Sequence, residues 1–262
     1  MSASSGDSLL TRRDFRGNTL QARDGIFRGL PLTGDDHLFY RLFTDFRKTV
    51  VSAAGPAAVD ADWDEVSAVT LSLLDDGDTP DPEVGVLLLE ATNGNEDDAY
   101  IQTVQDLIKP APGKTFAVEA RIYVTETVAN NGNFIFGFHE EFAADVLGNA
   151  GAGLNSGAVD ALVLTKVDGD TTWDLVLANG ATTATAADIA TATIAGWQRV
   201  GLRVDCDADN AVVRAYIDGN QVAQASITLT ALGSMKFGLG LKNGSAADYD
   251  MNVDYIQFIG ER

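Results

Sequence analysis

Three aspartates spaced by two are the sequence's nearest approach to a metal-binding loop. Asp205, Asp207 and Asp209 place carboxylates at alternate positions, as at the start of an oxygen-ligand calcium loop. The acidic residue that closes such a loop at its twelfth position is replaced by Tyr216. The segment also fits a plain hairpin turn, because Asp and Asn side chains hydrogen-bond their own backbone. We predict no cofactor and leave a structural calcium ion at these aspartates as the open alternative.

Other reactive side chains lack the partners that their chemistry needs. His139 precedes two glutamates, but a zinc-binding helix needs a second histidine four residues later, where the chain has Ala143. The serine nucleophile motif Gly-x-Ser-x-Gly does not occur. The acidic cluster DADWDE at 60–65 lies in a predicted linker and is interpreted as a solvated segment. These patterns predict that the protein is not an enzyme.

Charge is divided unevenly along the 262 residues, which carry a net charge of −20. Residues 1–50 hold eight Lys or Arg against six Asp, a balance of +2, and the rest holds ten basic against 32 acidic groups, a balance of −22. This predicts a basic arm that meets a negative surface, the alternative being an ordinary N-terminal segment on an acidic protein. The acidic body repels phosphate, so nucleic acid is not an expected partner. No membrane partner is expected either, because no window approaches 18 apolar residues.

A predicted hairpin at 196–219 organises the C-terminal half. Apolar residues occupy every second position from 200 to 206, and Val213, Ala215 and Ile217 repeat the alternation after a polar turn. Cys206 falls on the inward face, which indicates a small core residue rather than a nucleophile. The hairpin therefore predicts two antiparallel strands with one buried face.

Strands with the same alternation recur along the chain. They are predicted at 66–74, 85–90, 114–124, 133–139, 161–167, 173–178, 221–229, 234–242 and 249–260. No helical pattern interrupts those after residue 110, so the predicted fold is all-β, a two-sheet antiparallel sandwich.

The N-terminal part is predicted to differ from this sandwich. Residues 1–35 lack periodicity and are interpreted as an extended arm that orders against a partner. One short amphipathic helix is predicted at 36–50, packing either on its own domain or on a neighbouring subunit. Its apolar stripe consists of Leu38, Phe39, Leu42, Phe43 and Phe46. The predicted domains are the arm at 1–55 and the sandwich at 56–262.

The order of strands resembles the concanavalin A-like jelly roll of the laminin-G and glucanase type. The stretches that carry the resemblance are FAVEARIYV at 116–124, FIFGF at 134–138, the block at 196–222 and MNVDYIQFIGER at 251–262. It implies a jelly-roll fold but no single function, since that fold serves lectins, glycosidases and structural proteins. A glycosidase of this type is expected to carry Glu-x-Asp-x-x-Glu on one strand, which this chain lacks.

A basic arm followed by this sandwich is also similar to tailed-bacteriophage proteins that decorate or cement a capsid. The resemblance implies a non-enzymatic virion protein on the capsid exterior, with the major capsid protein and neighbouring copies of itself as partners in a dimer or trimer. The residues assigned to capsid binding are Arg12, Arg13, Arg16, Arg23, Arg28, Leu38, Phe39 and Phe43.

The alternative function is a carbohydrate-binding, lectin-like module, such as a phage adhesin or a cell-surface protein. Sugar binding needs aromatic side chains on an exposed face, and the tryptophans available are Trp63, Trp173 and Trp197. Trp173 and Trp197 alternate with predicted core positions, which predicts structural roles for both.

Overall fold

The computed structural model describes residues 13–16, 19–22, 26–27, 30, 39–44, 46, 63–66, 69–74, 85–92, 94–148, 153–155, 159–180 and 182–261. Within these ranges the chain forms strands and one 3-10 turn, Leu229–Ala231. The strands are β1 (Arg13–Arg16), β2 (Thr19–Ala22), β3 (Phe39–Thr44), β4 (Trp63–Val66), β5 (Val69–Leu73), β6 (Leu87–Ala91), β7 (Asp98–Thr103), β8 (Thr115–Glu126), β9 (Gly132–His139), β10 (Asp160–Lys166), β11 (Thr172–Asn179), β12 (Thr183–Thr191), β13 (Trp197–Cys206), β14 (Asn210–Ile217), β15 (Asn220–Thr228), β16 (Lys236–Asn243) and β17 (Tyr249–Glu261). No described helix is long and apolar enough to cross a membrane.

Two antiparallel sheets make up the body, which confirms the predicted all-β jelly-roll sandwich. The smaller sheet has the strand order β12-β11-β10-β9-β16-β7-β4. The larger has the order β15-β14-β13-β8-β17-β6-β5, and β3 also pairs with β17. The hairpin predicted at 196–219 is formed by β13 and β14, with Val200 opposite Ile217 and Cys206 opposite Ala211.

Inward-facing side chains of the two sheets form one core. The rings of Phe136 and Phe237 meet edge to face at 5.3 Å, and Phe138 reaches Phe258 across the sandwich at 6.1 Å. Trp173 is fully buried, and its indole N–H donates to the side-chain oxygen of Gln198 at 2.9 Å. This bond joins β11 to β13, so the structural role predicted for Trp173 is confirmed.

The helix predicted at 36–50 is not formed where the structure describes it, because β3 occupies 39–44. β6 pairs with only the first part of β17, and the second part accepts β3, with Phe43 opposite Gln257. A spacing of four residues places side chains on one face of a strand as well as of a helix. The unpaired edge of β17 offers backbone partners that a helix would leave unused.

The acidic segment at 60–65 was predicted as a linker, and its second half is instead strand β4. β4 pairs with β7 at the edge of the smaller sheet. Trp63 is 2% exposed in the core and contacts the ring of Phe237, which fixes the strand, while Asp64 points to solvent. The boundary predicted after residue 55 lies outside the described residues.

The outer faces of the two sheets differ in what covers them. Over the middle of the smaller sheet, Phe142 and Leu147 pack on Tyr100 and Ile135 in a buried cluster. On the larger sheet a different and smaller cluster, formed by Ile26, Phe27, Leu30, Ala117 and Ile259, covers part of the outer face. The rest of that face carries partly exposed aromatic and charged side chains.

Candidate functional site

Four aromatic side chains, which we call the aromatic patch, lie on the uncovered part of the larger sheet: Phe43, Tyr123, Trp197 and Tyr255. Tyr123 and Trp197 are directly opposite on β8 and β13, and their rings meet edge to face at 5.5 Å. Phe43 stacks on Tyr255 at 6.2 Å and is 53% exposed. Aromatic rings left partly in water on one sheet face are surfaces available to a ligand.

Arg121 links the two aromatic pairs. Its guanidinium carbon lies 4.4 Å from the centre of the Trp197 ring, and its register partner on β17 is Tyr255. Its Nη1 donates to Asp254 Oδ2 at 2.7 Å. Because its side chain is 40% exposed, this ion pair adds little to stability. Its effect is to hold the guanidinium over the Trp197 ring and to keep Asp254 beside the patch.

Glu119 lies beneath the patch and is buried. The Tyr255 hydroxyl donates to Glu119 Oε1 at 2.6 Å. Burial raises the pKa of Glu119 to about 7, and Asp218 raises it too, against the opposing effects of the Tyr255 hydrogen bond and the Arg199 charge. Burial and the neighbouring Glu119 charge raise the pKa of Tyr255 as well. We call the buried pair of Glu119 and the Tyr255 hydroxyl the polar floor of the patch, and its Glu119 carboxyl changes charge near neutral pH.

Arg199 stands directly opposite Arg121, on β13. Its Nη2 donates to the backbone oxygen of Asp218 at 3.1 Å, and its backbone N–H donates to Asp218 Oδ1 at 3.0 Å. Alone among the arginines whose side chains the structure describes, it lies in no ion pair with another described residue.

The N-terminal segment closes one end of the patch. Ile26 packs on the bare backbone of Gly201, where an added Cβ would lie 2.7 Å from the Ile26 Cδ1 atom. Arg203 Nη1 donates to the Ile26 backbone oxygen at 3.2 Å, which fixes the segment to β13. Gly201 is opposite Glu119 on β8. The area that the N-terminal segment covers therefore begins directly beside Glu119.

The calcium candidates are not brought together by the structure. Asp205 lies on the outer face of β13 and bonds to Arg203 and Arg214. Asp207 Oδ1 instead accepts the backbone N–H groups of Asp209 and Asn210, at 2.8 and 2.7 Å. The segment is thus the plain hairpin turn that the sequence allowed as the other alternative.

A different acidic group has ligand atoms close enough for a metal ion: Asp170, Asp174 and Asp188 lie within 4.8 Å of one another. One oxygen of each carboxylate already accepts a hydrogen bond. The Thr172 hydroxyl donates to Asp170 or Asp188, at 2.7 and 2.8 Å, and the Asp188 backbone N–H donates to Asp174. We assign no metal there, because exposed acidic groups of this kind are common without an ion.

Of the eight residues assigned to capsid binding, four lie in strands that the structure describes. Arg13 and Arg16 lie in β1, and Phe39 and Phe43 lie in β3, which belongs to the protein's own larger sheet. Outside the described residues lie Arg12, Arg23, Arg28 and Leu38. No described contact tests whether these residues bind a capsid.

Sequence reasoning missed the role of Trp197. It lies on the outer face and is partly exposed, whereas the sequence predicts only a structural role for it. The signal was present in the strand period: core residues on β13 occupy even positions from 198 to 206, so odd positions point outward. Cys206 follows the same rule, and its predicted place in the core is confirmed.

A cavity of about 370 Å³ lies away from the patch. Its charged lining residues are Asp106, Lys109, Lys114 and Glu261. The Glu261 carboxylate accepts the Thr115 backbone N–H at 2.8 Å, so this residue serves strand pairing at the end of the sandwich. The cavity lacks the partly exposed rings that distinguish the patch.

Comparison with solved structures places the fold among lectins and polysaccharide-acting enzymes. The chain is similar to an endo-1,3-β-glucanase from Streptomyces sioyaensis, with a TM-score of 0.56 and 15% identity over 87% of this chain and 99% of that one. It is also similar to the Emp47p carbohydrate recognition domain, with a TM-score of 0.55 and 14% identity over 85% and 96%. For a glucuronan lyase from the fungus Trichoderma reesei the TM-score is 0.54 and the identity is 13%, over 77% of this chain and 95% of that one.

These likenesses show the fold and no more, because the identities are low. The protein has a concanavalin A-like jelly roll of the lectin and glucanase type. No protein-family model matches the sequence, and a search of curated proteins finds no match. Nothing in the comparisons links the chain to phage decoration proteins.

Proposed function

We propose that the protein is a carbohydrate-binding, lectin-like module and that the aromatic patch is its binding surface. The observation that carries the proposal is the position of Trp197, partly exposed between the Tyr123 ring and the Arg121 guanidinium. The similar carbohydrate recognition domain and glucanase support it, since both share this fold.

The patch combines two kinds of contact that a sugar ring needs. The apolar C–H face of a pyranose packs on the ring surface of Trp197 and Phe43 that Arg121 and Tyr255 leave open, which removes apolar surface from water. Its hydroxyls find an acceptor in Asp254 and donors in Arg121, both held in place by their mutual bond. Trp, Tyr and Arg side chains carry much of the energy of many binding surfaces.

Binding is favoured over hydrolysis because of where Glu119 lies. A carboxyl with a pKa near 7 suits general acid catalysis, and Glu119 has that property. However, Glu119 is 1% exposed and its oxygen is occupied by the Tyr255 hydroxyl. A general acid must reach the bond that it protonates, and Glu119 does not reach the surface.

Tryptophan fluorescence tests the proposal with the intact chain. Trp63 and Trp173 are 2% and 0% exposed, so a change in emission on adding a bound glycan reports on Trp197. We expect glycan-array hits to be confirmed by titration and lost in Trp197→Ala. Val128→Ala is the matched control, since Val128 is 43% exposed and lies outside the patch. Glycan binding that survives Trp197→Ala, or no glycan binding by the wild type, would refute the proposal.

The role as a capsid decoration protein stays a prediction. Deleting residues 1–50 would not test it cleanly, because that change also removes β3 and the buried side chains of Ile26 and Phe27. The informative measurement is whether the full-length chain co-sediments with purified phage heads. Absence from the heads would rule out the capsid role without bearing on glycan binding.

A further inference from the structure

Arginines are concentrated on one face of an acidic protein. Every arginine between residues 63 and 261 lies on the outer face of the larger sheet: Arg121 on β8, Arg199 and Arg203 on β13, and Arg214 on β14. The chain as a whole carries a net charge of −20. The same region also holds the carboxyls of Glu119, Asp205, Asp218 and Asp254, so a bound anion is favoured only at an arginine that those carboxyls leave without an ion pair.

The four arginines form two opposed pairs that differ in their counter-ions. Arg203 lies opposite Arg214, and the Asp205 carboxylate bonds to both. Arg199 lies opposite Arg121, and among the described arginines Asp254 forms an ion pair with Arg121 alone. Like charges directly opposite in a sheet are destabilising unless an anion lies between them. For Arg203 and Arg214 that anion is the Asp205 carboxylate. In the other pair the Arg199 guanidinium has no ion pair with another described residue.

The groups around Arg199 do not take the place of this anion. Asp218 gives the guanidinium a backbone oxygen, while its carboxylate accepts the Arg199 backbone N–H. Glu119 is the other nearby carboxyl, and its Oε1 accepts the Tyr255 hydroxyl; the Arg199 charge lowers the pKa of Glu119, but no described ion pair joins the two side chains. A guanidinium has five N–H donors, and one of those of Arg199 donates to another residue in the part of the chain that the structure describes.

We propose that the aromatic patch binds an acidic glycan and that Arg199 pairs with the carboxylate of a uronic acid unit. This inference rests on the proposed carbohydrate-binding function and specifies its ligand class. Trp197 precedes Arg199 by two residues on the same face of β13, so a sugar ring on the indole places a ring substituent toward the guanidinium. The planar fork of arginine matches a carboxylate through two parallel hydrogen bonds. The overall negative charge repels anions at long range, so affinity must come from this local contact.

Titration with two matched sugars tests the inference: a glucuronic acid tetrasaccharide and the glucose tetrasaccharide of the same linkage. We expect the wild type to bind the acidic sugar more tightly than the neutral one. Arg199→Gln is expected to weaken binding of the acidic sugar about 10- to 100-fold, as for loss of a charge-assisted hydrogen bond, and to leave the neutral one unchanged. Arg199→Lys, which keeps the charge without the fork, should lose less.

Arg214→Gln is the matched control, because Arg214 is an arginine of the same face whose Asp205 partner keeps Arg203. It should bind both sugars as the wild type does. Preference for the neutral sugar, or equal binding of the acidic sugar by the wild type and both Arg199 variants, overturns the inference and leaves the proposed function standing. Failure of a broad glycan array to show any bound sugar overturns both.

Discussion

Replacing Glu119 by glutamine is expected to stabilise the protein at alkaline pH. The pKa of Glu119 rises from 4.5 to about 7, chiefly through burial. Each unit of pKa corresponds to 1.36 kcal/mol, so ionising this carboxyl costs the folded state about 3 kcal/mol relative to the unfolded chain. Glutamine fills the same space, accepts the Tyr255 hydroxyl and never ionises.

The sign follows from which form the fold prefers. A carboxyl whose pKa is raised by folding contributes most when it is protonated, and that contribution is lost as pH rises from about 4.5 through about 7. Between about pH 5.5 and pH 8 the wild type should lose about 2 kcal/mol from this group, whereas Glu119→Gln loses none. Other titrating groups, such as His139, contribute equally to both proteins and cancel in the difference.

Urea unfolding of both proteins at the two pH values measures the effect. The difference in unfolding free energy, variant minus wild type, should be about 2 kcal/mol more positive at pH 8 than at pH 5.5. Tyr255→Phe is a useful companion, because it removes the hydroxyl donor and should raise the pKa of Glu119 further. Parallel stability curves for wild type and Glu119→Gln would refute the assignment of a raised pKa to this residue.

Two substitutions and one labelling experiment probe the surrounding structure. Gly201→Ala places a methyl group against Ile26, so it should lower stability by about 1–3 kcal/mol and increase proteolysis near residue 26. Lys166→Met leaves the carboxylate of Glu126 buried without its cation and should cost about 3–5 kcal/mol in urea unfolding, since both side chains are at most 1% exposed. Burial raises the pKa of Cys206 to about 11, so its thiol should resist a disulfide reagent at pH 8 until urea unfolds the chain. Rapid labelling of the folded protein would contradict that burial.

Many strands of the sandwich can be predicted from the sequence, because the alternation of apolar and polar residues is a property of each strand by itself. The hairpin of β13 and β14 follows from apolar residues at every second position and from turn residues at 207–210. Asp168-Gly169-Asp170, a sequence that favours a tight turn, likewise joins β10 to β11. In both hairpins the residues that favour the strands and the turn lie within the hairpin itself, so the prediction needs no knowledge of contacts with distant segments.

The same local patterns were wrong where a distant partner chooses between two structures. The spacing of four from Leu38 to Leu42 and Phe46 fits one face of a helix or of a strand, and the free edge of β17 selects the strand over 39–44. The tryptophan of the acidic segment at 60–65 becomes part of the core because β7 accepts β4 as an edge strand.

Local alternation is enough to predict the all-β class and the inward faces of the main strands, and residue counts give the imbalance of charge. Which outward face stays open to solvent depends on how distant segments pack in the folded protein. Phe142 and its neighbours cover the smaller sheet, and Ile26 and its neighbours cover part of the larger one. The aromatic patch and the opposed pair of Arg121 and Arg199 are assembled from strands distant in the chain. Strand alternation predicts which side chains point away from the core. Contacts between segments distant in the sequence determine which of these side chains form one exposed surface.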